Sequence, residues 1–207
     1  MSDRNVQWES GPERHRLAAA TRSFLDAVVR TGADPATLTE VTATIEAATR
    51  QLARPTFERT ISIGPGSYRR EMSLVNGVSH PFAPMLEMRE TDAGYEATFE
   101  LGAAYEGPPG LVHGGALSLL FDYVMAWATT RVGSPGPSMT GTMSLSYRRP
   151  TPLGTPLTIT AWVERVSGRK VHIAASLVAD GEVTVEGTGL FIKLTEEHQR
   201  AVYRLTS

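Results

Sequence analysis

The sequence predicts an α+β fold: an antiparallel sheet wrapped around one central helix, with an N-terminal helical extension. Three observations carry this expectation. The apolar run Ala116 to Ala128 is interrupted only by Ser118 and Asp122, so a helix over Gly114 to Arg131 has to be buried on most of its circumference. The residues after it alternate apolar and polar in segments separated by tight-turn signals, the period of half-buried strands. The order strand, helix, strands leaves a sheet whose apolar face needs a cover, and in that half of the chain this helix alone is apolar enough to supply it.

Taken in order, His15 to Arg30 and Asp34 to Arg54 read as helices. Asp34 is an N-cap, Pro35 takes the first helical position, and Leu38, Val41, Ile45, Ala48 and Leu52 form one stripe. Between Pro55 and Pro84 the periodicity fades while Gly64, Pro65, Gly66, Gly77, Pro81 and Pro84 accumulate, which marks a connector. Met85 to Leu101 reads as a strand pair or a long bent strand around TDAG, and the loop YEGPPG leads to the helix. In SMTGTMSLSYRRP, strict alternation places Met139, Gly141, Met143, Leu145 and Tyr147 on one face and Thr140, Thr142, Ser144 and Ser146 on the other. Leu157 to Val166 and Lys170 to Ala179 follow, joined by SGR, and ADGE supplies an Asp-Gly turn into Val183 to Leu194. The apolar phase of that last strand passes from odd to even positions across Gly187 and Gly189, which predicts a β-bulge there. The expected divisions are an extension and connector over 1–84, a main domain over 85–195 and a tail over 196–207.

Composition excludes several functions. A net charge of -2 without a dense Lys/Arg run gives no footprint for nucleic acid or an anionic membrane. The absence of cysteine excludes disulfides, zinc-thiolate sites, iron-sulfur clusters and a cysteine nucleophile. The five histidines form no close ligand pair, so no metal site is expected. Neither GPGSYR nor GTGLFI completes a dinucleotide fingerprint and no Walker sequence occurs, so no cofactor is expected either. HGG at His113 to Gly115 lacks the G-x-S-x-G elbow of an α/β-hydrolase. A polar N-terminus without an apolar h-region, and an apolar run too short to span a bilayer, lead to the expectation of a soluble cytoplasmic protein without a signal peptide.

Asp122 then needs a reason, because an ionised carboxylate in an apolar helix is costly unless satisfied or useful. The helix that carries it is predicted to begin at Gly114, where an unpaired N–H and the positive end of the macrodipole lie. The segments GPPGLVHGGALSLLFD, TGTMSLSYRRPTPLG and GRKVHIAASLVADGEVTVEGTGLFIKL resemble, over Met85 to Leu194, the hotdog-fold acyl-CoA thioesterases of the PaaI-like group, which includes the human thioesterase superfamily members. The resemblance implies that the Gly114 N–H polarises a thioester carbonyl, that Asp122 acts as base or nucleophile, and that Thr140 holds the water or the carboxylate. It also implies an acyl-CoA substrate. Some relatives carry an asparagine before the histidine. Gly107 stands at that place here, with Glu106 as a conjectural replacement.

Around this core, His113 is expected to hold its loop by a hydrogen bond, with a proton-shuttle role as the lesser alternative. Gly115 is a candidate substrate contact. Arg148, Arg149, Arg169 and Lys170 are either a solvated rim or a clamp on the phosphates of coenzyme A. Met125, Trp127, Met139 and Met143 are candidates to line an adaptable pocket. The expected function is hydrolysis of an acyl-CoA to a free acid and CoA. The alternatives are an acyl-CoA-binding protein without turnover and a hotdog hydratase or dehydratase. Gly114 and Asp122 lie eight residues apart, about 12 Å along a helix, too far for one chain to bring both to one carbonyl. A two-fold homodimer with antiparallel helices resolves this, and paired dimers could extend it to a tetramer.

Overall fold

The computed structural model describes residues 9–53, 68–132 and 137–204. The expected connector glycines and proline Gly64, Pro65 and Gly66 lie outside the described residues, as do the first eight residues of the polar N-terminus. Two long helices open the described chain, α1 (Pro12–Arg30) and α2 (Pro35–Leu52), and a short α3 (Tyr68–Glu71) follows. Asp34 caps α2 as its sequence demands, its carboxylate accepting from the Ala36 and Thr37 N–H groups at 2.9 and 3.1 Å. No residue of α2 is buried, so the Leu38, Val41, Ile45 and Leu52 stripe is exposed in the single chain.

The expected bent segment is two strands, β1 (Glu87–Glu90) and β2 (Gly94–Phe99). A 3-10 turn over Ala103–Tyr105 leads toward α4 (Gly114–Ala128), which ends in a 3-10 turn over Thr129–Arg131 where a longer α-helix was expected. Four strands complete the sheet: β3 (Ser138–Tyr147), β4 (Leu157–Ser167), β5 (Lys170–Ala179) and β6 (Glu182–Lys193). All pairs are antiparallel, in the order β1-β2-β4-β5-β6-β3. The chain therefore crosses the whole sheet through α4, from β2 to the far edge at β3. Asp180 and Gly181 both have positive φ, 50° and 78°, as the Asp-Gly hairpin requires. Within the expected C-terminal tail lies a further helix, α5 (Glu196–Arg204).

Leu117, Leu120, Phe121, Val124, Met125 and Ala128 of α4 are buried against inward residues of the sheet, among them Ile159, Ile173, Val185 and Phe191. Met125, a candidate pocket residue, is part of the core in this chain. Gly187 and Gly189 make the close approach possible. A Cβ at Gly187 would sit 2.4 Å from Leu145 Cδ2 and 2.9 Å from Phe121 Cδ1, and one at Gly189 would sit 3.1 Å from Met125 Sδ.

The bulge expected at those glycines lies elsewhere. In β6 the extra residue is Thr184, where the pairing with β5 steps from Leu177–Val185 to Val178–Val183. From Val185 to Lys193 the odd positions all face the helix, and the missing side chains of Gly187 and Gly189 mimic a change of phase. β3 carries a second bulge, at Gly141, where its register with β6 shifts between Thr140 and Thr142.

Replacing Gly187 with valine is expected to lower stability by about 1–3 kcal/mol, since the new methyl groups must displace Phe121 or Leu145 in a filled core. Chemical denaturation of the two proteins measures it, and an unchanged midpoint would show that α4 is free to move away.

Candidate active site

The Gly141 bulge decides the geometry of the site. Strict alternation would turn Thr140 away from Met143, but the extra residue reverses the phase. Thr140 therefore faces α4 together with Met143, Leu145 and Tyr147. Its hydroxyl donates to Asp122 Oδ1 at 2.6 Å. Ser138, two residues earlier on the same face, bonds the Thr129 hydroxyl at 2.5 Å. Thr142, Ser144 and Ser146 turn outward and line shallow grooves with Trp162 and Thr188. The hydroxyl face expected from alternation is thus divided by one glycine.

Asp122 is half-buried in the single chain, on the flank of α4 that meets β3 at Thr140. The open face of α4 carries Gly115, Leu119, Tyr123, Ala126 and Trp127, all half-buried or exposed, and Trp127 is 37% exposed. Trp127 packs edge-on against Tyr95 and Tyr123.

At the other end of α4, His113 is the N-cap. Its Nδ1 accepts from the Gly115 N–H at 2.9 Å. The Gly115 N–H is thereby engaged, while its Cα lies exposed beside the imidazole. The Gly114 N–H has no hydrogen-bond partner among the described residues. The Gly114 carbonyl, in contrast, accepts from both the Ser118 hydroxyl and the Tyr147 hydroxyl at 3.0 Å, and those two hydroxyls lie 2.9 Å apart. The sequence assigned Ser118 and Tyr147 no role in the site. The signal for Ser118 was present as a polar interruption four residues after Gly114, and that for Tyr147 as its place on the face shared with Met143 and Leu145.

The preceding loop is closed by several bonds. The His113 N–H donates to the Tyr105 carbonyl, Gly107 N–H to Leu111 and Val112 N–H to Thr151, each at 2.9 Å. One Glu106 carboxylate oxygen accepts from the Gly110 N–H at 2.6 Å, so the conjectured replacement for asparagine holds the turn in this chain. Burial pushes the Tyr105 phenol up to about 12, with nearby Arg22 opposing and Asp26 adding to the shift, so it remains a protonated donor to the Phe82 carbonyl. A Cβ at Gly107 would stand 2.9 Å from His113 Cα, which leaves no room there for an asparagine without moving backbone.

The four candidate phosphate ligands do not meet within one chain. Arg148 and Arg149 follow the end of β3 that reaches Gly114, where Arg148 Nε pairs with Glu186 at 2.8 Å and Arg149 with Glu182 at 3.1 Å. Arg169 and Lys170 lie at the β4–β5 hairpin beside Lys193, at the opposite end of β6 and so about 30 Å away. Lys193, another residue unnoticed in the sequence, faces the helix side beside Ser138 and is 9% exposed, and burial lowers its pKa. No cluster of three metal-ligating side chains occurs among the described residues.

A thioesterase superfamily protein of known crystal structure is 33% identical to this chain, covers 91% of it and is itself covered to 94%, with a TM-score of 0.76. The chain belongs to the thioesterase superfamily. The family model described as thioesterase superfamily matches residues 109–186, which include Gly114, Asp122 and Thr140. Among curated proteins, the acyl-coenzyme A thioesterase THEM4 of Bos taurus is 34% identical over 101 residues, 48% of this chain and 40% of its own length. Its counterpart from Xenopus laevis is 37% identical over 101 residues, 46% of this chain and 43% of its own. The chain thus spans about two fifths of the length of the curated relatives it matches. A hypothetical thioesterase from Streptococcus pneumoniae, 17% identical with a TM-score of 0.50 over 54% of this chain and 92% of its own, shares the fold. The expected hotdog architecture is the observed one: an antiparallel sheet around α4, with N-terminal helices added.

Gly107→Asn is expected to cost about 1–3 kcal/mol because the loop backbone at His113 must shift. Thermal unfolding monitored by circular dichroism measures it. A melting temperature equal to that of the parent would mean that the loop accepts the asparagine.

Proposed function

We propose that this superfamily member is an acyl-CoA thioesterase and that its site is shared between two copies of the chain. The observation that carries the reading is the Thr140–Asp122 hydrogen bond of 2.6 Å on the β3 flank of the helix whose first residue, Gly114, has a free N–H. In this reading the thioester carbonyl oxygen accepts from the Gly114 N–H, where the helix macrodipole also favours the negative charge of the tetrahedral intermediate. Asp122 takes a proton from water as the water oxygen bonds to the carbonyl carbon. Thr140 holds the carboxylate so that its free oxygen points at that water. The C–S bond then breaks and the thiolate of CoA receives the proton, leaving a free acid. The same carboxylate could attack directly to form an anhydride, which water then opens.

The eight residues from Gly114 to Asp122 span about 12 Å of helix, so the two groups of one chain cannot reach one carbonyl. Two features support a second copy as the remedy. The open face of α4 presents Leu119, Tyr123, Ala126 and Trp127. β3 is a ten-residue edge strand with Met139 52% and Tyr147 51% exposed, an edge that invites pairing. A two-fold axis with antiparallel helices sets Gly114 of one copy beside Asp122 of the other. It also brings the Arg169 and Lys170 end of one copy toward the Arg148 and Arg149 end of the other, where they can meet the phosphates of CoA. The cell compartment expected is the cytoplasm, and no helix among the described residues is long and apolar enough to cross a membrane.

Thiol release from a panel of acyl-CoAs tests the activity, and binding without release would make the protein an acyl-CoA sensor. Asp122→Asn is expected to lower kcat by about two to four orders of magnitude with binding retained. An active variant would leave Asp122 structural. For the shared site, inactive Asp122→Ala and Gly114→Pro chains are unfolded and refolded together in equal amounts. Half the dimers are then mixed, each with one complete site, so about a quarter of the parent activity should return. If both variants dimerise and the mixture stays inactive, the chemistry lies within one chain.

A further inference from the structure

The N-terminal helix α1 reaches the loop that presents Gly114, and the connection can be followed bond by bond. Asp26 lies in the last turns of α1. Its Oδ1 accepts from the Ala104 N–H at 2.9 Å, at the start of the 3-10 turn Ala103–Tyr105. The carbonyl at the end of that turn, on Tyr105, accepts the His113 N–H at 2.9 Å, and His113 caps α4 through Gly115. Three hydrogen bonds therefore separate the Asp26 carboxylate from the peptide group beside Gly114.

Sequence and packing both fit a purpose-built contact. Gly102, next to the turn, is where the carboxylate passes: a Cβ there would lie 2.2 Å from Asp26 Oδ2 and 2.8 Å from Cγ. Tyr105 is held from its other side, with its ring against Phe82 at 4.9 Å and its hydroxyl on the Phe82 carbonyl. The segment carrying Phe82 is in turn fixed to α1, since Arg22 Nη1 donates to the His80 carbonyl at 2.8 Å and His15 Nε2 lies 2.8 Å from Glu71. α1 thus grips both sides of the 3-10 turn, through Asp26 below the backbone and through the Arg22-held segment against the Tyr105 ring. A charge-assisted bond to a backbone N–H is one of the stronger holds available to a surface turn.

We infer that Asp26 is a positioning residue for the oxyanion site: by fixing the turn Ala103–Tyr105 it fixes His113 and hence the direction of the Gly114 N–H. The inference rests on the thioesterase reading for its kinetic consequence and on the fold alone for its structural one. It gives the N-terminal extension a role in the chemistry through the turn that it holds. A hole in which the donor is misaimed loses stabilisation of the transition state while the remote parts of the substrate still bind.

The test uses the full chain and three substitutions. Asp26→Ala removes the acceptor, Asp26→Asn keeps an oxygen that can accept from Ala104, and Gly102→Ala pushes the intact carboxylate away from the other side. Asp26→Ala is expected to lower kcat about tenfold with KM within about twofold. Gly102→Ala should reproduce that loss, the double variant should be no worse than either single one, and Asp26→Asn should recover most of the rate. In parallel, amide hydrogen exchange of peptides covering 103–115 should quicken in Asp26→Ala and Gly102→Ala while strands β4 to β6 keep their protection. Unchanged exchange over 103–115 in both variants overturns the inference, whatever the enzyme does. Loss of rate in Asp26→Asn equal to that in Asp26→Ala, with Gly102→Ala silent, also overturns it, because charge or general stability would then be the cause. If the parent chain releases no thiol from any acyl-CoA, the thioesterase reading falls, and the exchange experiment alone decides the role of Asp26.

Discussion

The approach of α4 to the sheet over Gly187 and Gly189 is the constraint on which the remaining structure depends. Phe121 and Met125 occupy the space that two side chains of β6 would have taken, so the helix sits in one position and one rotation. Close-packed interiors transmit such fixing over several residues, because a displaced aromatic ring has nowhere to go. With that face pinned, Asp122 and Gly114 are placed by helical geometry alone. The polar groups of the site then need only local bonds to be oriented.

Those local bonds come from elements distant in sequence. Thr140 arrives from the far edge of the sheet, turned inward by a single extra glycine. Tyr147 arrives from the other end of the same strand. His113 is held by a 3-10 turn that α1 supports. The helix supplies the axis, and β3 and the loop supply the aim.

Much of this was readable in the residues because it depends on local rules. The Asp34 cap, the Asp-Gly hairpin, the bounds of β5 and the buried face of α4 follow from propensities and periods that act within a few residues. What escaped depends on partners far along the chain. The β3 bulge leaves no mark in an alternating sequence whose polar face is threonine and serine throughout, so Thr140 was placed on the wrong side although the resemblance implied that it holds either the water or the carboxylate. Glycine in β6 registered as a break in phase when it records the depth of Phe121 and Met125. Glu106 was free to be anything until the Gly110 turn closed on it. The α2 stripe has the period of a packed helix, yet no described residue of this chain covers it.

The peptide groups around Gly114 have an electronic consequence as well as a geometric one. The His113 carbonyl accepts from two amides, those of Ala116 and Leu117, at 2.9 and 3.2 Å. Each accepted bond draws electron density toward that oxygen and shifts the amide resonance toward its charge-separated form. The nitrogen of the same peptide unit, which belongs to Gly114, becomes more positive, and its proton becomes a better donor. The next peptide unit is saturated in the same way, by Ser118 and Tyr147 at its oxygen and His113 at its nitrogen. One N–H is thus left unspent on a backbone that is polarised toward it and cannot rotate. Such a donor meets an incoming negative charge with its dipole already aligned, and little of the interaction is lost to reorganisation when that charge develops.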